Sequence, residues 1–353
     1  MGVLRLDKGD FLILKIIVPN LCTKNVLSFS NTLHDCEKND TYFFDVSKVS
    51  NYEPFSMLFT AAVIRQFCEK RDLMPWDIQL RFLEDKDYSY ACHMGFFKAA
   101  GFEEGKNPGE AHGSYSYIPL TKINIRDLNE ESMQRGEFLE QGDIIEKKSA
   151  ELARILAQSN DEMKKLFQFL IREAIRNIPE HAGTNDVWIC GQYWWNRGIA
   201  EIAILDEGIG VFESLNKNII HKSYISNNED ALRWAIKPGV SRAFNPAKEP
   251  NLKDPWANSG YGLHMISEIC KNTKGGWLTF VSNNNCLRIY SNSTSLETVN
   301  FRGTALGIRV GTKNIKNAQA MIDEARLKGE ATAKNIKNAF KSASLPSKGL
   351  MLE

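Results

Sequence analysis

Residues 166–183, LFQFLIREAIRNIPEHAG, hold the pattern that most narrows the possible folds of this chain. Leu166, Leu170 and Ala174 recur every four residues and give a helix one buried stripe. One further turn brings Asn177 and then His181 onto that stripe, with Glu173 at its edge. A buried polar group left unpaired costs about 1–3 kcal/mol. A helix with this pattern therefore ends either against backbone that those groups cap or at a polar cavity. Pro179 lacks a backbone donor and disfavours helical geometry at Ile178, so the helix is expected to kink or end there.

The helix belongs to a chain of 353 residues, long enough for two domains with ordinary cores. Hydrophobic residues make up 43% and charged residues 25%, the profile of a soluble globular protein. The net charge of +1 supplies no field toward nucleic acid or a membrane surface, so neither is expected as a partner. The early apolar run FLILKIIV (11–18) has strand length and falls far short of the roughly 20 residues that span a bilayer. No cleavable signal pattern precedes it, and a cytoplasmic location is expected. Seven cysteines form no CxxC pair, which points to reduced, buried thiols rather than disulfides or zinc.

Strand and helix signals alternate through the first 125 residues. FLILKIIVP (11–19), TYFFDVS (41–47) and DIQLRFLE (77–84) read as strands. PFSMLFTAAVIRQFCEKRD (54–72) reads as a helix opened by Pro54, and YSYACHMGFFKAAG (88–101) as another closed by Gly101. Residues 126–160 are helical and charge-rich, a connector or dimerisation segment. Residues 161–312 carry the opening helix, two strands over 186–212, a polar segment with four prolines, the helix GLHMISEICKNTKGG and three closing strands. The fold class expected is α/β in two domains. The basic tail, 313–353, repeats KNIKNA at 313–318 and 334–339. Ile315, Ile322 and Ile336 would share a seam that Gly329 keeps thin, so a solvated or partner-docking helix is expected.

Three further motifs follow the helix in order. LDEGIG (205–210) ends a strand in an acid that can accept a hydrogen bond from an exocyclic amine, with glycines that let backbone approach a flat ligand. NSGYGLHM (258–265) puts Gly260 and Gly262 at the start of a helix, where backbone donors favour an anion. FRGTALGIRV (301–310) sets Gly303-Thr304 at the head of a strand. Each is weak alone, and no GxxxxGK[ST] phosphate loop is present.

In this order the four resemble the N, G1, G2 and G3 boxes of the GHKL ATPases, the superfamily of gyrase, histidine kinases and anti-sigma-factor kinases. The resemblance covers roughly residues 150–312 and implies an α/β sandwich binding ATP and Mg2+ under a mobile lid. It assigns Asn177 to Mg2+ and Asp206 to the adenine amine. Gly208 and Gly210 shape the base pocket, Gly260, Gly262 and Leu263 cradle phosphates, and Thr304 assists at the base. Glu173 matches the residue that activates water, and His181 completes Glu-x-x-x-Asn-x-x-x-His, a form closest to the anti-sigma-factor kinases and some histidine kinases, with a place either near the phosphates or as a helix-end or structural histidine beyond Pro179. Segment 211–259 corresponds to the lid, in which Lys237, Arg242, Lys248 and Lys253 are candidates to reach the γ-phosphate and Trp234 and Trp256 to report lid motion.

YFFDVSKVSNYEPFSMLFTAAVIRQF (42–67) resembles STAS domains, the antagonists that anti-sigma-factor kinases phosphorylate. Their acceptor serine aligns with Phe55, and only the adjacent Ser56 carries a hydroxyl, so a docking or regulatory module is expected rather than a phosphoacceptor. The reading is an ATPase switch that meets a protein partner through the STAS-like unit or the tail, with a homodimer possible. Its alternatives are a serine kinase of the anti-sigma-factor type and an ATP-sensing scaffold that never hydrolyses.

Overall fold

The computed structural model describes residues 3–8, 11–83, 86–112, 114, 116–246 and 258–349. The chain is α/β, built on two sheets. The first holds β1 (Val3–Lys8), β2 (Phe11–Ile17), β3 (Thr41–Asp45) and β4 (Ile78–Arg81) in that order. β1 is antiparallel to β2, and β2, β3 and β4 run parallel. α1 (Thr23–His34) and α2 (Pro54–Lys70) make the two crossovers. α1 carries no clear sequence signal, because its Ser, Thr and Asn residues are weak helix formers; its buried Val26, Leu27, Phe29 and Leu33 hold it in place.

α2 is buried almost all round, from Pro54 to Ile64 and at Phe67. A helix apolar on every side needs a partner on every side. The second sheet supplies it. α3 (Ser89–His93) and α4 (Phe96–Ala99) lead to β5 (Tyr117–Asn124), and Gly95, at φ +77°, breaks the single helix expected over 88–101. Then come α5 (Ile125–Gln134), α6 (Gln141–Ala157), α7 (Asp161–Asn177), β6 (Asp186–Trp194) and β7 (Ile199–Asp206). Three short helices follow: α8 (Gly210–Asn216), α9 (Ile219–Lys222) and α10 (Asn228–Ala235). α11 (Gly262–Asn272), β8 (Trp277–Ser282), β9 (Asn285–Ile289), β10 (Thr294–Thr298), β11 (Thr304–Gly311) and α12 (Ala318–Ala333) complete the chain.

The second sheet is antiparallel, in the order β10-β9-β8-β11-β7-β6-β5. β5 thus pairs with β6, although its residues precede 125. Both faces of the central strands are covered, which explains their unbroken apolar runs. Along β7, Ala200, Ile202 and Ile204 join the core with α7 and α11, whereas Ala203 and Leu205 join the core around α2. Gly307 of β11 makes room for α2: a Cβ there would stand 2.8 Å from Phe55 Cδ2. Phe55 N donates to Glu201 Oε1 on β7 at 2.9 Å, and Ser56 is fully buried.

α6, from the segment expected as a connector or dimerisation helix, packs along α7 through Leu152, Ala153 and Leu156. Over α12 the tail buries Ala318, Ile322, Ala325 and Gly329 against its own chain, while its outer face, Leu327 included, stays exposed. The small residues that thin the Ile seam let α12 approach closely, since a Cβ on Gly329 would lie 2.8 Å from the His264 ring. The second KNIKNA copy begins as α12 ends. All seven cysteines are free thiols, and no helix among the described residues is long and apolar enough to cross a membrane.

Candidate functional site

α7 is capped by Asn160, whose side chain accepts from Met163 N, and runs its apolar stripe onto β6 and β7. It ends at Asn177. Pro179 stands second in a π-helical turn, Ile178–Ala182, closed by Gly183 at φ +73°. The sequence pattern thus places the break correctly. The wider turn keeps His181 facing the same cavity as Glu173 and Asn177.

That cavity is a cleft between α7, α11 and the end of the second sheet, with about 970 Å3 of empty space, its mouth included. Of the residues the motifs single out, Glu173, Asn177, His181, Asp206, Gly210, Gly260, Gly262, Leu263 and Thr304 all line it. Gly208 does not; it turns the chain after Asp206, donating its N–H to Asp206 Oδ1 at 2.9 Å, and packs under Ala182.

Asp206 and Thr304 close β7 and open β11 directly opposite each other. Two residues along, on the same face, Ile204 pairs with Leu306 and Leu306 with Phe280, which gives this part of the cleft an apolar floor. Burial pushes the Asp206 carboxyl up to about 7, against bonds from Gly208 and Thr304 that pull it down. A lone carboxylate over an apolar floor suits a flat ligand carrying an amine.

Where α7 meets the start of α11 the wall is polar. Glu173 Oε1 accepts from Arg172 Nη2 at 2.9 Å, and its Oε2 accepts a long bond from Ser347 Oγ at 3.5 Å. A Cβ on Gly262 would stand 2.6 Å from Oε2, so glycine lets the N-terminus of α11 reach the carboxylate. Asn177 Nδ2 donates to Glu173 O at 2.7 Å, and its Oδ1 has no hydrogen-bond partner among the described residues.

Burial pushes the His181 imidazole down to about 4, so the ring is neutral. Its Nε2 accepts from Asn258 Nδ2 at 3.0 Å, which leaves the proton on Nδ1, a buried donor with no partner. Burial also raises Glu180, which Arg176 bridges at 3.1 Å. Arg242 reaches the cleft and bonds the Glu180 carbonyl, while Lys237 is stacked 4.2 Å above Trp234. Lys248, Lys253 and Trp256 lie outside the described residues.

Several groups escape sequence reading. Arg176 and Glu180 sit four apart around the motif, a visible ion-pair spacing. Ser344 and Ser347 also line the cleft, from a tail separated from α7 by most of the domain. The only sequence signal for them is the run SASLPS after the last helix. Fully buried Arg172 pins that tail: it pairs with Glu146 at 3.0 Å, donates to the Gly349 carbonyl at 2.7 Å and bonds the Pro346 carbonyl. Among the described residues no three His, Cys, Asp or Glu side chains form a metal cage. A hard cation here needs oxygen from an amide and from its own ligand. No protein-family model matches the chain, and no curated protein matches it.

Proposed function

We propose that the chain binds ATP with Mg2+ in this cleft, as GHKL ATPases do, and acts as an ATPase switch. The observation that carries the reading is the convergence of four distant segments on one cleft with two chemically different walls. Asp206 and Thr304 accept and orient the adenine over Ile204, Phe280 and Leu306. The start of α11, with Gly260 and Gly262, offers backbone donors and a positive helix end to the phosphates. The partnerless Nδ1–H of His181 and the guanidinium of Arg242 suit phosphate oxygens, and the open Asn177 Oδ1 suits Mg2+. Bound Mg2+ neutralises phosphate charge. Glu173, its Oε1 tied to Arg172, presents Oε2 as the base toward the terminal phosphate.

The STAS-like unit is the regulatory arm in this reading. Its α2 holds both base-recognising loops from behind: Arg65 pairs with Glu207, next to Asp206, and Gln66 accepts from Arg302 N at 2.8 Å and donates to Arg302 O at 2.9 Å, next to Gly303. A partner that shifts α2 shifts the adenine site. Asp45 is a structural ion pair rather than a free acid; burial would raise it, but the bonds from Lys15 and Ser47 hold it at about 2. Calorimetry with Mg2+ and a non-hydrolysable ATP analogue, beside phosphate release by wild type and Glu173→Gln, tests the proposal. Binding by both and turnover by wild type alone is expected; a variant that turns over as wild type does removes Glu173 from the chemistry.

A further inference from the structure

Ser347 is the residue the proposed reaction with water leaves unexplained. It stands on a short turn, Pro346–Lys348, is buried, and lines the cleft. Other serines line the cleft too, but Ser344 and Ser259 bond each other at 3.0 Å and Ser214 and Ser241 meet no carboxylate. Ser347 alone among them donates its hydroxyl to a carboxylate, and that carboxylate is Glu173.

The surroundings hold this pair in place. Arg172 binds the carbonyls on either side of Ser347, those of Pro346 and Gly349, and with the same guanidinium holds Glu173 Oε1. One cation thereby fixes both the serine backbone and the carboxylate, and leaves Oε2 for the hydroxyl. The N-terminus of α11 meets the same Oε2 through Gly262. A hydroxyl, a base and an anion-favouring helix end thus share one corner. The 3.5 Å Ser347–Glu173 distance is long, as catalytic bonds often are before the substrate binds.

We propose that Ser347 is a phosphoacceptor in cis: the chain phosphorylates its own tail. The inference rests on the ATP-binding reading above. Glu173 Oε2 takes the Ser347 hydroxyl proton as Oγ bonds to the terminal phosphorus of a Mg2+-bound nucleoside triphosphate. The bond from that phosphorus to the bridging oxygen breaks, and the nucleoside diphosphate leaves with its electron pair. The product dianion sits beside Glu173, and once that residue has passed the proton on to water, its carboxylate and the phosphate are like charges that repel. Phosphorylation therefore drives the tail out of the cleft and ends its hold on Arg172.

The experiment incubates the full chain with γ-labelled ATP and Mg2+, measures intact mass and maps the modified peptide. Calorimetry with a non-hydrolysable analogue runs beside it. One phosphoryl group on Ser347 is expected, acquired at a first-order rate independent of protein concentration. Ser347→Ala abolishes it, Ser347→Thr restores it, and Glu173→Gln loses the label while still binding the analogue. Binding with label absent, or label persisting in Ser347→Ala, overturns the proposal and leaves the ATP-binding reading standing. A rate that rises with protein concentration overturns the transfer in cis. Absence of binding to wild type overturns both.

Discussion

Arg65 Nη2 of α2 stands 3.0 Å from Glu207 Oε2, the residue that follows Asp206. Both side chains are largely buried, and the Arg65 guanidinium also lies 4.0 Å over the Trp188 ring. The pair joins the helix that crosses the first sheet to the loop proposed to recognise adenine. Arg65→Met keeps apolar contact with Trp188 but removes the charge. Loss of one partly buried pair is worth about 1 kcal/mol, so nucleotide affinity should fall about fivefold without any change at the cleft itself. Titration calorimetry on the variant checks this, and unaltered affinity would separate the two sheets functionally.

Asp206 sets a pH dependence of known sign. Its folded value, about 7, lies above that of an exposed carboxyl, because burial disfavours the charge. The folded protein therefore holds this proton where the unfolded chain has released it. The contribution to stability is complete below pH 4 and is lost as pH rises from about 4 to 7. An amine donor in the cleft favours the carboxylate, so affinity for adenine nucleotides should rise with pH up to about 7 and then level off. Asp206→Asn should flatten both profiles, measured by thermal unfolding and by calorimetry across pH 5–8.

Gly262 is under a steric demand from Glu173, the proposed base. Its Cβ in an alanine variant would meet Glu173 Oε2 at 2.6 Å, closer than any real contact, so the carboxylate must rotate away. Misplacing a catalytic group by about 1 Å can cost on the order of a hundredfold. Gly262→Ala should therefore lose phosphoryl transfer far more than fold, with melting temperature and turnover measured on the same sample.

Arg172 anchors the tail from inside the core. Replacing it with methionine strands the fully buried Glu146 and frees the carbonyls of Pro346 and Gly349. Removing one partner of a buried ion pair costs about 3–5 kcal/mol. Urea unfolding should show a loss of that order. Adding Glu146→Gln should recover part of it, and the tail should become sensitive to protease in both variants. A tail that stays protected would mean α12 alone retains it.

Much of this architecture is legible along the chain. The stripe through Leu166, Leu170 and Ala174 and the break at Pro179 fall where local sterics put them. So do the strands on either side of Asn196-Arg197-Gly198, because short-range preferences decide these features. The glycines at 260 and 262 are readable for the same reason: each backbone position has one physical demand. α1 is hidden because packing, not propensity, makes it a helix. The close packing of the tail's inner face is hidden because a run of small residues looks like a poor seam. Arg172, Ser344 and Ser347 stay invisible as a group, since only long-range folding brings their chemistry together.

The central claim is that Glu173, Asn177, Asp206 and the start of α11 bind one nucleotide. Isothermal calorimetry of the full chain with a non-hydrolysable ATP analogue, with and without Mg2+, tests it most directly. The account predicts saturable binding of one nucleotide per chain, weakened at least tenfold in Asp206→Asn and made independent of Mg2+ in Asn177→Ala. No saturable heat with wild type, or binding that neither substitution alters, would contradict it.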